Sequence, residues 1–182
     1  HLIMAEIGKS EKDAFKEFDR TVEYIEKTLE LGKQMALEET KLSPVGTVIK
    51  KEGLKPRGVT LCLGPSNYPL NETFTNLIPA ILMGNTVICK LPKIGALSLT
   101  PLYEAFAKSF PPGVINFISG DGSTMITPIM KTGDIDTLAF IGGTNTARKI
   151  MANHPDPMLL NEVLGMGAKN AGIIMADAVI DD

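Results

Sequence analysis

The chain has 182 residues, 44% of them hydrophobic and 21% charged, which is enough for one sizeable core and too apolar for a disordered chain. Lys and Arg number 18 against 21 Asp and Glu, a formal net charge of −3, and this argues against nucleic acid as the main partner, since phosphate neutralisation needs a basic stripe. Only two cysteines occur, Cys62 and Cys89, both inside apolar runs, so a reduced, cytoplasmic setting is expected rather than a disulfide-stapled secreted domain.

The start, His1-Leu2-Ile3-Met4-Ala5-Glu6, is too short in apolar residues for a signal peptide. His1 is no ordinary initiator, so a processed, tagged or partial chain is expected. Residues 11–39 then read as one long amphipathic helix. Phe15, Phe18, Val22, Ile25 and Leu29 repeat at alternating spacings of 3 and 4 and should pack on the domain. Charged residues, Glu17 among them, should face water. Ser10 with Asp13 resembles a capping box. Ser43-Pro44-Val45-Gly46 breaks this pattern, and 42–57 reads as a hairpin or arm with a strand at Thr47–Ile49. The apolar stretch from Leu77 to Met83 is interrupted by Pro79 and cannot span a bilayer, so no membrane partner is expected.

From Gly58 the chain alternates strand and helix. Strands are predicted at Gly58–Leu63, Thr86–Leu91, Val114–Ser119 and Thr137–Ile141. Helices follow at 71–83, 98–110, 124–131 and 145–153. Shorter strands are predicted near Met158–Val163 and at Ala171–Met175. Continuous apolar strands between helices imply an α/β fold, a doubly wound, Rossmann-like parallel sheet with helices on both faces. The long helix and the short β arm precede it. The expected organisation is one domain over 1–182: a helical lead-in at 1–41, an arm of oligomerisation type at 42–57, and a dinucleotide-binding core at 58–182.

Such sheets bind ligands at the carboxyl ends of their strands. The turns Gly120-Asp121-Gly122 and Gly142-Gly143 each feed a helix, where close backbone approach and a positive helix end suit a pyrophosphate. Tight turns alone explain these glycines about as well. Lys90 and Lys93 end the second strand. A lysine pair there favours a 2′-phosphate over a free ribose hydroxyl pair, the other reading being two solvated lysines. No Walker A run, Gly-x-Ser-x-Gly elbow or metal-ligand spacing occurs, and no metal is expected.

The run Gly64-Pro65-Ser66-Asn67-Tyr68-Pro69-Leu70-Asn71, followed by Ile78-Pro79-Ala80 and Gly84-Asn85-Thr86-Val87-Ile88-Cys89-Lys90, resembles the aldehyde dehydrogenase superfamily. Pro112-Gly113-Val114-Ile115-Asn116, Phe140-Ile141-Gly142-Gly143-Thr144 and Ala168-Lys169-Asn170 with Asp177-Ala178 extend the resemblance in the right order over nearly the whole chain. Asn67-Tyr68 and the Lys90 to Lys93 spacing look most like the branch that oxidises glyceraldehyde 3-phosphate without phosphorylation, using NADP.

The resemblance implies oxidation of an aldehyde to the acid through a cysteine thioester, with NADP, or NAD, as cofactor. It implies that Asn67 donates to the oxyanion and that Tyr68 lines the substrate channel. It also implies that Pro65, Ser66, Lys90, Lys93, Gly120, Gly122, Gly142 and Gly143 border the cofactor. A small aldehyde is the implied substrate, and the full-length enzyme is implied to be a homo-oligomer. Two positions depart from the pattern. The catalytic cysteine of the family has no match here and is expected outside the chain. The family's general-base glutamate falls on Gly165, which leaves Glu162, three residues earlier, as the nearest carboxylate. A non-catalytic nucleotide-binding or assembly module of the same fold is the alternative.

Overall fold

The structure is a computed structural model that describes residues 1–39, 43–45, 48–50, 55–167 and 170–176. Helix α1 spans Leu2–Ile7 and α2 spans Glu11–Glu39; strands β1 (Ser43–Val45) and β2 (Val48–Lys50) follow. These two strands pair antiparallel, as a hairpin should. Thr47, the first residue of the predicted arm strand, lies outside the described residues, as do 168–169 and 177–182. Then come β3 (Val59–Leu63), α3 (Asn71–Leu82), β4 (Thr86–Lys90), α4 (Tyr103–Ser109), β5 (Ile115–Ile118), α5 (Gly122–Lys131), β6 (Thr137–Ile141), α6 (Thr144–Met151) and β7 (Asn161–Gly165).

The five strands β5-β4-β3-β6-β7 form one sheet in that order, and every pairing is parallel. The chain steps outward from β3 to β4 to β5, then returns to the far side of β3 as β6 and β7. Strand order therefore reverses between β3 and β6, where a parallel sheet opens a crevice at its carboxyl edge. One face buries Cys62, Phe74, Leu77, Val87 and Cys89 under α1, α3 and the residues before α4. The other buries Leu61, Leu63, Ile126, Met130, Leu138 and Ile150 under α5 and α6. The doubly wound sheet predicted from the apolar strands is present.

Four local expectations need correction. The predicted helix at 98–110 begins as two 3₁₀ turns, Ala96–Ser98 and Thr100–Leu102, with Pro101 in the second. The α-helix starts only at Tyr103, since Pro101 has no N–H to give to an α-type bond back to Leu97. The last strand is Asn161–Gly165 rather than Met158–Val163. Met158 and Leu159 are 92% and 73% exposed and form the bend before it. Ala171–Met175 is not a strand: it has no ladder partner among the described residues, and Ile173, Ile174 and Met175 are exposed.

The fourth correction concerns α2. The capping box is formed, Asp13 N donating to Ser10 Oγ at 3.1 Å and Ser10 Oγ to Asp13 Oδ2 at 2.7 Å. The helix is nevertheless turned about its axis relative to the expected packing. Phe15 and Phe18 are 57% and 53% exposed, and Val22 and Leu29 are exposed as well, while Ile25 alone of the five packs against the core. The inward face carries Ala14, Glu17 and Thr21 instead. Specific polar bonds hold it there. Pro79 interrupts the ladder of α3 because it has no N–H, which frees the Thr75 carbonyl, and Tyr24 OH donates to that carbonyl at 3.1 Å. Glu17 and Tyr24 on this face thus meet backbone groups of α3 that its own ladder leaves open.

Candidate functional site: a cleft at the carboxyl edge of the sheet

A cleft of about 650 Å³ opens over the ends of β3, β4 and β6, between α5 and α6. Its apolar floor is Leu63, Ile126, Phe140 and Ile150, and its polar rim includes Gly64, Lys90, Gly122, Thr127, Thr146 and Lys149. Lys90 is the last residue of β4, beside Leu63 in the ladder. Burial pulls its ammonium below the ordinary lysine value, opposed by the carboxylate of Asp121. Two glycine positions leave room at the rim. A Cβ on Gly122 would meet only Lys90 Nζ, at 3.9 Å, and one on Gly143 only Thr146 Oγ1, at 4.0 Å.

Asp121 begins α5 as its own cap, with Oδ1 accepting from Ser123 N at 2.9 Å and Thr124 N at 3.2 Å. The Ser123 hydroxyl donates to the same oxygen. These bonds, the Ser123 hydroxyl first, hold the carboxyl below its ordinary value, with a smaller pull from Lys93. A fixed carboxylate is thus felt by both lysines that the sequence singled out.

The residues expected to border a cofactor separate into four groups. Lys90 and Gly122 line the cleft directly. Gly142 and Gly143 make the β6–α6 turn, Gly142 N donating to Gly165 O at 2.9 Å and Thr146 N to Gly143 O at 3.0 Å. Gly120 precedes the Asp121 cap with φ +141°, and Lys93 is exposed beyond β4. Pro65, Ser66, Asn67 and Tyr68 lie on the β3–α3 turn, outside the residues that line the cleft, with Ser66, Asn67 and Tyr68 exposed. Glu162 is not brought to this site. It lies near the amino end of the edge strand β7, exposed, and lines a separate cavity of about 630 Å³ with Thr60, Asn76 and Asn161.

Sequence reading missed Thr127, Thr146, Lys149 and Asn153 on the cleft walls. A signal existed: residues 146, 149 and 153 are spaced 3 and 4 apart and share one face of α6 and its continuation. Cys62 and Cys89 face each other across β3 and β4. Burial pushes both thiols up, Cys89 to about 12, so neither offers a thiolate near neutral pH. Among the described residues no group of three or more His, Cys, Asp or Glu could hold a metal ion. No described helix is long and apolar enough to cross a membrane.

A parallel sheet with this strand order and an open, lysine-bearing cleft at the reversal is a dinucleotide-type domain. Family comparison refines that class: the model of the aldehyde dehydrogenase family matches residues 1–182. The chain belongs to the aldehyde dehydrogenase family. It is 32% identical over 188 residues to an NADP-dependent glyceraldehyde-3-phosphate dehydrogenase of Streptococcus equinus, covering 99% of this chain and 38% of that protein. Among solved structures it resembles the NADP-dependent glyceraldehyde-3-phosphate dehydrogenase of Bacillus halodurans C-125 complexed with NADP. The TM-score is 0.77 at 30% identity, over 93% of this chain and 36% of that one. A double mutant of Staphylococcus aureus betaine aldehyde dehydrogenase in complex with NAD+ superposes with a TM-score of 0.78 at 26% identity, covering 93% of this chain and 34% of that one. The chain thus spans under two-fifths of the length of these relatives.

Proposed function

We propose that this chain supplies the dinucleotide-binding part of an enzyme that oxidises an aldehyde, glyceraldehyde 3-phosphate as the leading candidate, to its carboxylic acid with NADP. NAD is the alternative cofactor. Residues 58–182 form the binding core, 1–41 the helical lead-in and 42–57 an arm that meets a second copy in a cytoplasmic homo-oligomer. The observation that carries the reading is the cleft at the strand-order reversal, with Lys90 at its rim and open space at Gly122 and Gly143. Those residues fit a dinucleotide: small turns admit phosphates, and a lysine supplies charge-assisted bonds.

Lys90 and Lys93 hold the ribose end, Gly120 and Gly122 the turn beneath it, and Gly142 and Gly143 the pyrophosphate side, with Pro65 and Ser66 at the border. The bound cofactor supplies a hydride acceptor. The side-chain amide of Asn67 donates to the oxygen that becomes anionic as the aldehyde carbon turns tetrahedral. Tyr68 walls the substrate channel. The nucleophile is neither Cys62 nor Cys89, since both are buried and held protonated.

Binding and turnover test this separately. Lys93→Glu should weaken NADP relative to NAD by about 1–3 kcal/mol in titration calorimetry, the worth of a charge-assisted bond. An unchanged ratio removes Lys93 from the site. The complete protein should form NADPH in the presence of glyceraldehyde 3-phosphate, and no turnover with that or any other aldehyde sinks the enzymatic reading.

One observation favours the second reading, a nucleotide-binding module without aldehyde turnover. At Gly165 a Cβ would lie 3.1 Å from Ile141 Cγ1, so a side chain at the end of β7 would require Ile141 to give way. Normal dinucleotide affinity combined with absent turnover is its signature.

A further inference from the structure

The most deeply buried charge in the described chain is Glu17, a residue of α2 that no part of the proposed reaction uses. Its side chain is fully buried. Helix α3 begins directly after the Asn67 turn and has no side-chain cap of its own, because Leu70 occupies that position. Glu17 supplies the missing acceptor from another helix. Its Oε1 accepts from Leu70 N at 3.0 Å and from Asn71 N at 3.2 Å. Its Oε2 meets Lys9 Nζ at 2.5 Å. The same Lys9 ammonium sits 3.4 Å from the centre of the Tyr68 ring. Residues 68, 70 and 71 are therefore held by residues 9 and 17, and Asn67 is the neighbour of the first.

We propose that Glu17, with Lys9 behind it, is a positioning residue that fixes the Asn67 turn so that the Asn67 amide meets the developing oxyanion. The proposal rests on the aldehyde-oxidising reading above, which gives Asn67 its role. The physics favours a carboxylate here. Two orphan amides and the positive end of α3 all stabilise a negative charge. Charge-assisted bonds to Leu70 N and Asn71 N anchor the end of the turn where it enters α3. Precision matters because a donor displaced by about 1 Å can cost on the order of 10²-fold in rate. A cation over Tyr68 adds a second restraint on the same turn.

Steady-state kinetics of the complete protein with glyceraldehyde 3-phosphate and NADP provide the test, arranged as a double-mutant cycle. Asn67→Ala should lower kcat by about 10²-fold or more. Glu17→Gln keeps the shape and one acceptor oxygen but loses the charge. It should lower kcat about tenfold while the KM for NADP stays within about twofold, the pattern of a lost transition-state contact. In the Asn67→Ala background the Glu17→Gln loss should vanish, since there is no amide left to position. If the two losses multiply, Glu17 is merely structural and the proposal falls alone. If Asn67→Ala turns over like the wild type, the oxyanion reading falls and takes the proposal with it. Lys9→Met gives a milder arm should Glu17→Gln not fold. Its expected loss, about threefold in kcat, must likewise vanish without Asn67, and persistence there overturns the proposal.

Discussion

Helices α3 and α5 both begin at the carboxyl edge of the same sheet, and they solve the same problem in opposite ways. Each exposes backbone donors that need an acceptor. Helix α5 carries its own: Asp121 accepts from the amides two and three residues on. Helix α3 takes an acceptor from 53 residues away, the buried Glu17. A local cap costs little and says little about the rest of the molecule. A distant cap couples α2 to the turn after β3. The difference teaches that the floor of the cleft at α5 is self-sufficient, whereas the Asn67 turn depends on residues the cleft never touches.

Breaking the distant cap should produce the largest effect. Glu17→Ala strands two amides and leaves the largely buried Lys9 ammonium without its partner. A loss of about 3–5 kcal/mol is expected, the range for breaking a buried ion pair from one side. A shift of the urea midpoint without a change in slope is the measurement. A loss no larger than a surface substitution produces would mean that water replaces the carboxylate. Next comes the close approach of β3 to α3. A Cβ on Gly64 would lie 3.1 Å from Thr73 Cβ and 3.2 Å from its Cα, so Gly64→Ala must push the helix outward, at about 1–3 kcal/mol for overpacking. The same unfolding experiment reads it, and a neutral result would show that the helix start gives way freely.

These two effects also mark how far the sequence was legible. The α5 cap is local, Asp121 and its partners lying within three residues of each other, although Gly120-Asp121-Gly122 reads in the sequence only as a turn feeding a helix. Strands β3 to β6 were legible for a similar reason: each is an apolar run bounded by its own turn residues. The orientation of α2 was not. The periodicity of Phe15, Phe18, Val22 and Leu29 points one way, and the helix packs another way, since Glu17 and Tyr24 satisfy groups on α3 that nothing local can reach. Likewise Lys90 and Gly122 were readable as strand-end and turn residues. Thr127 and Lys149 belong to the site only because α5 and α6 face each other across the cleft, a relation no short window contains. Glu162 was drawn in by its nearness to Gly165, and its place near the amino end of β7, in register with Leu138, keeps it from the strand ends where the cleft opens.

The smallest effect sharpens the comparison most, because it separates capping from ligand choice at Asp121. Asp121→Asn keeps an oxygen for the Ser123 and Thr124 amides and removes the charge. The loss of stability should therefore be largest at neutral pH, though small there because the site is exposed, and should shrink toward acid. The folded carboxyl titrates below its ordinary value, so its contribution is present above the unfolded value of about 4 and is lost as pH falls through the lower folded one. The Asn variant has no such titration, and its stability should be flatter with pH in that region. At the same time the negative charge beside Lys90 and Lys93 is gone, so NADP should gain on NAD, by up to about tenfold in the ratio of dissociation constants if the carboxylate and the phosphate compete for the same ammonium groups. Paired calorimetric titrations decide it. A raised NADP preference with an unchanged melting temperature assigns Asp121 to ligand choice. An unchanged preference with a lower melting temperature leaves it a helix cap and nothing more, and would make the two helix starts differ only in where their acceptor comes from.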